Sequence, residues 1–295
     1  MIATTGFFDG VHLGHRLVIE RLVSLARERG DESLVVTFWP HPRAVLQDGA
    51  RELRLLNSLE EKKELLRSLG VDRVEVLDFT RSFAALTAEQ YLREILRDRF
   101  GVTTLLMGYD NRLGSDRLTA DTLKPIAEGI GMELKELLPL SFRPSEASGE
   151  ISSTQIRTAL ENGDIVSAAE MLGYGYSLRG VVVAGNRLGR TIGFPTANMK
   201  LYEPLKLVPG RGVYVVEAEV LGKKYRGMTN IGLRPTVGGS FTTIETHILD
   251  FDEDIYGLPL RITFLRRLRD EVHFPSLEAL KDQLEKDRDC CREQK

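Results

Sequence analysis

The residues with the clearest chemical potential form a glycine-rich stretch at positions 6–15, Gly-Phe-Phe-Asp-Gly-Val-His-Leu-Gly-His. A short apolar run precedes it and apolar residues recur at helical spacing after it, which predicts a strand, a turn and a helix N-terminus. Such a turn binds anions, because the first N–H groups of a helix lack acceptors and the helix dipole is positive there. His12 and His15 would share one face of the first turn and could neutralise charge that develops on a phosphate. A capped helix start with two surface histidines is the simpler alternative, but two of only 5 histidines lie here.

Three further segments of the first half carry polar groups that could reach a nucleotide. Pro40-His41-Pro42 follows one predicted strand, and Gly108-Tyr-Asp110-Asn-Arg112-Leu-Gly114 follows another. Glycines at both ends of the second loop would allow close approach of the backbone, while a polar surface loop is the alternative. The segment Ile-Ser-Ser-Thr-Gln-Ile-Arg at 151–157 predicts a capping box from Ser152 to Gln155. Its hydroxyls and its arginine also suit a triphosphate.

In the second half, the segment Gly-Phe-Pro-Thr-Ala-Asn at 193–198 is the most specific pattern. The Thr196 hydroxyl and the Asn198 carbonyl are hard oxygen ligands, suited to Mg²⁺ held jointly with ATP phosphates. The preceding segment, Gly185 to Thr191, faintly resembles a P-loop. Its spacing is one residue short, it has arginine where lysine is needed, and we expect it to open no helix, so we reject that interpretation.

Glu245 and His247 lie in a predicted strand, so their side chains should share one face while Thr246 faces the other. A glutamate on the inner face of a small barrel is costly unless it is paired or functional. An exposed strand glutamate is the simpler alternative.

The elements that would position these residues change character midway along the chain. Up to residue 173, strands near 33–38, 73–79, 102–107 and 134–138 alternate with helices, which predicts a doubly wound, mostly parallel α/β sheet. Loops at the carboxyl ends of such strands meet at one site. From residue 174, short strands near 179–184, 212–219, 224–228, 244–251 and 260–264 predict a small antiparallel β-barrel, followed by a C-terminal helix from Ser276. We therefore predict two domains, 1–173 and 174–295.

Composition limits the classes of function. With 42% hydrophobic and 28% charged residues, the 295-residue chain is typical of a globular protein. The net charge of -3 argues against broad nucleic-acid binding, and we interpret Arg266, Arg267 and Arg269 as the polar side of a strand. No apolar run approaches the roughly 20 residues that span a bilayer. The adjacent cysteines Cys290 and Cys291 are expected to be reduced thiols, so we predict a cytoplasmic protein without membrane partners. A homo-oligomer is compatible with the sequence.

The motifs quoted above resemble those of one enzyme family. The stretch at 6–15 is similar to the signature of nucleotidyltransferases, and most of all to the adenylyltransferase half of bacterial bifunctional riboflavin kinase/FAD synthetases. Residues 151–157 resemble the closing motif of that half. The segment 193–198 resembles the riboflavin kinase motif, and the similarity continues through 227–236 and 269–274.

The resemblance implies two reactions that use ATP and Mg²⁺: phosphorylation of riboflavin to FMN, and adenylylation of FMN to FAD with release of pyrophosphate. Riboflavin, FMN, FAD and ATP would be the partners. Glu245 would act as base for the ribityl hydroxyl, while His12, His15 and Arg157 would stabilise charge during adenylyl transfer. The implied metal ligands are Thr196 and Asn198. The implied ATP contacts are Gly6, Phe8, Asp9, Gly10, Ser153, Thr154, Gly185, Gly189, Gly193 and Pro195. The implied flavin contacts are His41, Asp110, Arg112, Arg269 and Glu271.

Three alternatives stay open at this point. The first half could be a pantetheine-phosphate or cytidylyl transferase, although the Thr196/Asn198 barrel argues against that. It could instead be a non-catalytic module beside a live kinase, because Asn111 and Leu113 stand in the glycine-bounded loop where the family usually has an aromatic before the last glycine. A flavin carrier without turnover is the third, and Glu245 argues against it.

Overall fold

The computed structural model describes residues 1–46, 53–108, 111–137, 151–185, 188–236 and 239–292. Two compact units divide the chain, Met1–Ser153 and Thr154–Lys295. Asp110 and the pair Asn186 and Arg187 lie outside the described residues. Among the described residues, no helix combines the length and the apolar character needed to cross a membrane.

The first unit is built on a parallel sheet. Its described strands are β1 Ile2–Thr5, β2 Ser33–Trp39, β3 Arg73–Asp78, β4 Thr104–Gly108 and β5 Glu133–Leu137. They lie in the order β3-β2-β1-β4-β5, and every neighbouring pair is parallel. Ile2 pairs with Ser33 on one side and with Thr104 on the other, so β1 is the central strand. The predicted doubly wound sheet is confirmed.

Helices cover both faces of this sheet. They are α1 Leu13–Arg29, α2 Pro42–Leu46, α3 Leu59–Ser68, α4 Arg81–Ala84, α5 Ala88–Gln90, a π-helical continuation Tyr91–Arg99, and α6 Ala120–Gly129. Because β1 side chains alternate, Ile2 packs in the core beneath α1 and α3, while Ala3 packs in the core on the opposite face with Leu92 and Leu123. A capping box between Ser58 and Glu61 fixes the start of α3.

The second unit is a closed barrel, and helices precede and follow its strands in the sequence. It comprises α7 Ser153–Glu161, α8 Ile165–Leu172, β6 Ser177–Val183, α9 Leu188–Thr191, β7 Ala197–Leu201, β8 Gly212–Val220, β9 Lys223–Thr236, β10 Gly239–Ile248, β11 Pro259–Arg269 and α10 Leu277–Arg292. The strand order is β10-β7-β6-β11-β8-β9, with antiparallel neighbours. The predicted antiparallel barrel and C-terminal helix are confirmed.

Several details of the barrel differ from the sequence prediction. Strands β9 and β11 continue to Thr236 and Arg269, beyond their predicted ends. Strand β7 was not predicted, because it begins inside the 193–198 motif and was interpreted as loop. Strand β10 starts and ends earlier than expected. The 185–191 segment does contain a helix, α9, but it is a single turn of 4 residues, unlike the long helix that follows a P-loop.

The helices α7 and α8 pack on the barrel. The Gly210 backbone N–H donates a hydrogen bond of 2.8 Å to the Leu160 carbonyl. Any side chain at Gly163 would meet Tyr214 and Arg267 at 3.0 Å or less. The boundary between the two compact units therefore lies before residue 173. The boundary between the two functional domains, predicted near residue 173, stays a prediction.

A buried ion pair attaches α10 to the barrel. Arg269, at the end of β11, donates from Nε and Nη2 to Asp287 Oδ2 at 3.0 and 2.7 Å, and the Asp287 side chain is only 5% exposed. Gln283 adds a hydrogen bond of 2.9 Å to the same carboxylate. One turn further on, Cys291 is fully buried, with its thiol 3.8 Å from the Gly227 carbonyl.

We expect Asp287→Ala to destabilise the second unit by about 3–5 kcal/mol, because it leaves the Arg269 guanidinium half-buried without its carboxylate. Calorimetric or urea unfolding of the full chain measures the change. The control is Asp289→Ala on the same helix: its 65% exposed carboxylate is 3.6 Å from Arg288, so we expect a change below about 1 kcal/mol. Equal effects of the two substitutions would contradict the prediction.

Candidate active sites

The loop after β1 is held in an uncommon backbone conformation. Phe8, Gly10 and Val11 have φ values of 52°, 84° and 37°. Positive φ is unfavourable for residues with a side chain, and such strain persists only where the surrounding structure enforces it. Phe8 is buried with its ring against Gly6, where an added Cβ would lie 3.0 Å from the ring. The strain therefore lies at the predicted anion site.

Asp9 ties this loop to the rest of the first unit. Its buried carboxylate accepts hydrogen bonds from the backbone N–H groups of Leu56 at 3.0 Å and Asn57 at 3.3 Å. Its backbone carbonyl accepts a hydrogen bond of 3.0 Å from Ser153 Oγ. Asp9 and Ser153, both predicted to contact ATP, are thus brought together and shape the loop.

The two histidines stack at the start of α1. His12 is the N-cap, and its Nδ1 accepts a hydrogen bond of 3.4 Å from the His15 backbone N–H. The two rings lie 3.7 Å apart at 19°. Burial lowers the pKa of His15 well below its ordinary 6.5, and the charges of His12 and Lys62 lower it further. Among the described residues, His15 Nδ1 has no hydrogen-bond partner although it is buried. His15 is therefore a neutral imidazole at pH 7 with a buried, unpaired Nδ1.

Lys62 is a buried charged residue beside this loop that the sequence analysis missed. It lies on α3 and is 0% exposed, with Nζ 3.3 Å from Thr37 Oγ1 and 3.6 Å from the centroid of the Phe7 ring. Burial lowers its pKa from 10.5 to about 8, although the Asp9 charge acts in the opposite direction. The signal was present in the sequence, because Lys62 shares the apolar face of α3 with Leu59 and Leu66 at helical spacing.

The loops after β2 and β4 both reach the β1 loop. The His41 ring meets the Phe7 ring edge-on at 4.2 Å, and Asn111 Nδ2 donates a hydrogen bond of 3.1 Å to the Thr5 carbonyl. The predicted convergence of three loops at one edge of the sheet is therefore present. Arg112 is exposed beside this edge, whereas Leu113 is 8% exposed and packs in the core.

Two predicted ATP contacts lie further along α7. Thr154 is exposed and Arg157 is half-buried, and both belong to the second compact unit. Their contacts to phosphate stay predictions.

In the barrel, Glu245 lies between two asparagines. The register places it directly opposite Asn198 of β7 and Asn230 of β9, so the three side chains share one face. Arg234 Nη2 donates to Glu245 Oε1 at 3.1 Å. The inner-face expectation is wrong, because Thr246 occupies the buried face of β10 at 0% exposure while the Glu245 side chain is 26% exposed.

The 193–198 segment is fixed to the same face. His247 Nδ1 lies 2.8 Å from the Pro195 carbonyl oxygen, and its ring meets Phe194 edge-on at 5.2 Å. Burial lowers the pKa of His247, while the Pro195 carbonyl raises it. The Gly189 carbonyl accepts hydrogen bonds from the backbone N–H groups of Ile192 at 3.2 Å and Phe194 at 2.8 Å. The turn at Gly193 has φ of 87°.

The candidate metal ligands fit an ion held jointly with phosphates. A Cβ at Gly185 would collide with the Asn198 amide, so this glycine makes room for the amide. Thr196 lines a cavity of 370 Å³ together with Thr246, Ile248 and the segment 251–256. Among the described residues, no cluster of three or more His, Cys, Asp or Glu could hold a metal alone. Neutral oxygen ligands would therefore need phosphate oxygens to complete the coordination.

The two predicted flavin contacts near the end of the barrel have different surroundings. Arg269 is engaged by Asp287, as described above. Glu271 is exposed, and a Cβ at Gly232 would collide with its carboxylate. Glu271 therefore lies over β9, close to Asn230, whose amide nitrogen would be 3.2 Å from the same added atom.

Comparison with known protein families divides the chain in two. A family model described as FAD synthetase matches residues 1–155, and one described as riboflavin kinase matches residues 172–295. The chain is 37% identical over 97% of its length to a protein of Bacillus subtilis (strain 168), of which it covers 90%. It is 38% identical over 99% of its length to a protein of Escherichia coli (strain K12), of which it covers 92%. Both are named bifunctional riboflavin kinase/FMN adenylyltransferase.

A crystal structure from Streptococcus pneumoniae shares the fold. It superposes with a TM-score of 0.91 at 34% identity, covering 100% of this chain and 94% of that one. That protein is described as a macrolide-efflux protein, a description that differs from those of the matching families. The likeness establishes the common architecture.

We expect His15 to stay neutral down to well below pH 6.5 in the ligand-free protein, because burial and the neighbouring charges disfavour its protonated form. Its contribution to stability is complete above pH 6.5 and is lost as the pH falls below that value, since the unfolded chain then binds a proton that the folded chain does not. Nitrogen NMR of the ring during a pH titration measures this. A His15 midpoint at or above 6.5 would contradict the expectation.

Proposed function

We propose a division of labour for this chain, which belongs to the family of bifunctional riboflavin kinase/FMN adenylyltransferase enzymes: the barrel phosphorylates riboflavin, and the parallel-sheet unit adenylylates the FMN formed. ATP is the co-substrate of both reactions, and flavin cofactor biosynthesis is the function. The observation that carries the proposal is that one chain contains two separate groups of polar residues. One is the anion-binding loop at the edge of the sheet, and the other is the row of Asn198, Glu245 and Asn230 on neighbouring barrel strands.

In the first unit, the phosphate of FMN would attack the α-phosphorus of ATP, and pyrophosphate would leave. No base is needed, because the nucleophile is already ionised. The His15 imidazole and the N-terminus of α1 would stabilise the charge on the reacting phosphates. The stacked His12 ring would hold His15 in place. We propose His41, Asp110 and Arg112 as flavin contacts of this reaction, and Thr154 and Arg157 remain proposed phosphate contacts.

In the barrel, Glu245 would accept or orient the proton of the ribityl 5′-hydroxyl, and the γ-phosphoryl of ATP would pass to that oxygen. Arg234 holds the Glu245 carboxylate in position. Thr196 and Asn198 would hold Mg²⁺, which supplies charge neutralisation on the phosphates when bound. The turn around Gly189, Gly193 and Pro195 presents these ligands.

The cavity beside Thr196 has a volume within the usual range for small-molecule sites. We propose that it takes the nucleotide of the kinase reaction. We further propose that the functional boundary lies near residue 174 and that the protein works in the cytoplasm, where its free thiols at Cys290 and Cys291 stay reduced.

Chromatography of products tests the two-reaction proposal. Pure protein is mixed with ATP and Mg²⁺, first with riboflavin and then with FMN as the starting flavin. We expect riboflavin to yield FMN and then FAD. Accumulation of FMN that never becomes FAD would make the first unit a non-catalytic module and would refute the adenylylation half.

We expect Glu245→Ala to lower the rate of FMN formation about 10²- to 10⁴-fold, because proton transfer from the ribityl hydroxyl loses its acceptor. FAD formation from supplied FMN should be unchanged. Glu217→Ala is the matched control: this barrel-strand glutamate pairs with Lys224 at 2.8 Å, away from the Asn198 row, and its loss should leave both rates unchanged. Loss of both activities in Glu245→Ala would refute the separation of the two sites.

We expect His15→Ala to slow FAD formation about 10²- to 10³-fold, as for removal of a donor to developing charge, with FMN formation from riboflavin unchanged. His273→Ala, at an exposed histidine, controls for loss of a surface imidazole. An equal fall in the production of FMN would show that the stretch 6–15 does not form a separate adenylyl-transfer site.

A further inference from the structure

We propose that Lys62 is a substrate-binding residue for adenylyl transfer: its buried ammonium holds the Phe7 ring and supplies a standing positive charge that a phosphate group of the substrates neutralises. The proposal rests on the function proposed for the first unit. The shared chemistry is a phosphate, which ATP and FMN both carry.

The position of Lys62 is set by well-defined local structure. The capping box at Ser58 fixes the start of α3, and Lys62 lies in the first turn beyond it. Its Nζ is 3.6 Å from the centroid of the Phe7 ring and 5.9 Å from that of Trp39. Phe7 belongs to the anion-binding loop and Trp39 ends β2, so the ammonium lies between two of the three loops that converge at the site.

The ammonium has few partners for a buried cation. It carries three N–H donors, and the hydrogen bond to Thr37 Oγ1 is the only one it makes among the described residues. No described carboxylate forms an ion pair with it. The Asp9 charge attracts it, but Asp9 directs its oxygens to the Leu56 and Asn57 backbone. A cation over an aromatic ring is stabilised by the ring quadrupole, which holds Phe7 in place.

Burial without a paired anion is unfavourable for a charged side chain, and an apolar side chain of similar size would avoid that cost. The lysine stays mostly charged at pH 7 even so, since its pKa is about 8. In the ligand-free protein the charge therefore weakens the fold and also opposes protonation of His15. Arrival of a phosphate reverses both effects, because an anion favours the charged forms of Lys62 and His15.

The first test uses Trp39, the single tryptophan of the chain, as a reporter of Lys62. Its fluorescence in the full chain is followed from pH 6 to 10, with and without inorganic pyrophosphate or inorganic phosphate as probe. We expect a midpoint near 8 that Lys62→Met abolishes and that at least one probe raises. Lys63→Met is the control, since Lys63 pairs with Glu60 at the surface and should keep the wild-type midpoint. The absence of a Lys62-dependent midpoint, or a midpoint that neither probe moves, would overturn the proposal.

The second test measures the reaction. Lys62→Met should lower kcat/KM for FAD formation at least about 10-fold while FMN formation stays unchanged. A rise in the KM for FMN alone assigns the phosphate to FMN, and a rise in the KM for ATP alone assigns it to ATP. A kcat/KM within twofold of wild type overturns the proposal. If the wild type itself makes no FAD, the proposed function fails instead, so the two failures are distinguishable.

Stability separates this role from a purely structural one. At pH 7, Lys62→Met should keep or raise the Tm, because an apolar side chain replaces a buried charge. The difference should shrink as the pH rises from about 8 to 10.5, since the folded protein then releases the Lys62 proton while the unfolded chain keeps it. A Tm lowered by Lys62→Met throughout this range would show that the lysine serves the fold alone and would overturn the proposal.

Discussion

The parallel pairing of β1 with β2 on one side and β4 on the other is the constraint on which the first unit depends. Parallel neighbours end at the same edge of the sheet, so the loops after all three strands must meet there. The central strand is buried on both faces, so its position is fixed. The point at which the following loop begins is therefore fixed as well. Asp9 completes the arrangement by fixing that loop to the backbone ahead of α3. The strained turn and the stacked histidines follow from these attachments.

The barrel places its site by register rather than by convergence of loops. Antiparallel pairing sets Glu245 opposite an asparagine on each neighbouring strand. A shift of β10 by one residue would turn the Glu245 side chain to the other face of the sheet. His247, two residues on, lies on the same face and holds the turn that carries Thr196. Polar groups are therefore positioned differently in the two units. In the first unit they lie in loops at the ends of strands, and in the barrel they lie on the faces of strands.

Much of this organisation could be predicted from the sequence, because its signals are local. Capping residues and the periodicity of apolar side chains specify the alternation of helices and strands, and the change of pattern near residue 174 specifies the barrel. What escaped prediction depends on tertiary packing. Strand β7 is short and begins in a motif rich in turn residues. The place of Lys62 on the apolar face of α3 indicated burial, but the groups that surround its ammonium are set only when α3 packs on the sheet. The exposure of Glu245 depends on which face of β10 is turned towards the barrel interior. The burial of Leu113 also depends on tertiary packing and could not be predicted from the sequence.

The central position of β1 also governs when the strained loop at its carboxyl end can form. Ile2 must pair with Thr104, about a hundred residues later in the chain, before the strand is enclosed on both sides. Contacts of such sequence separation form slowly, because closing the intervening loop costs entropy before any pairing compensates for it. The adjoining loop can therefore take its strained shape only after β4 has been synthesised and has paired with β1. Until then the apolar strand β1 lacks its β4 neighbour, and exposed apolar segments of this kind favour aggregation of a newly made chain.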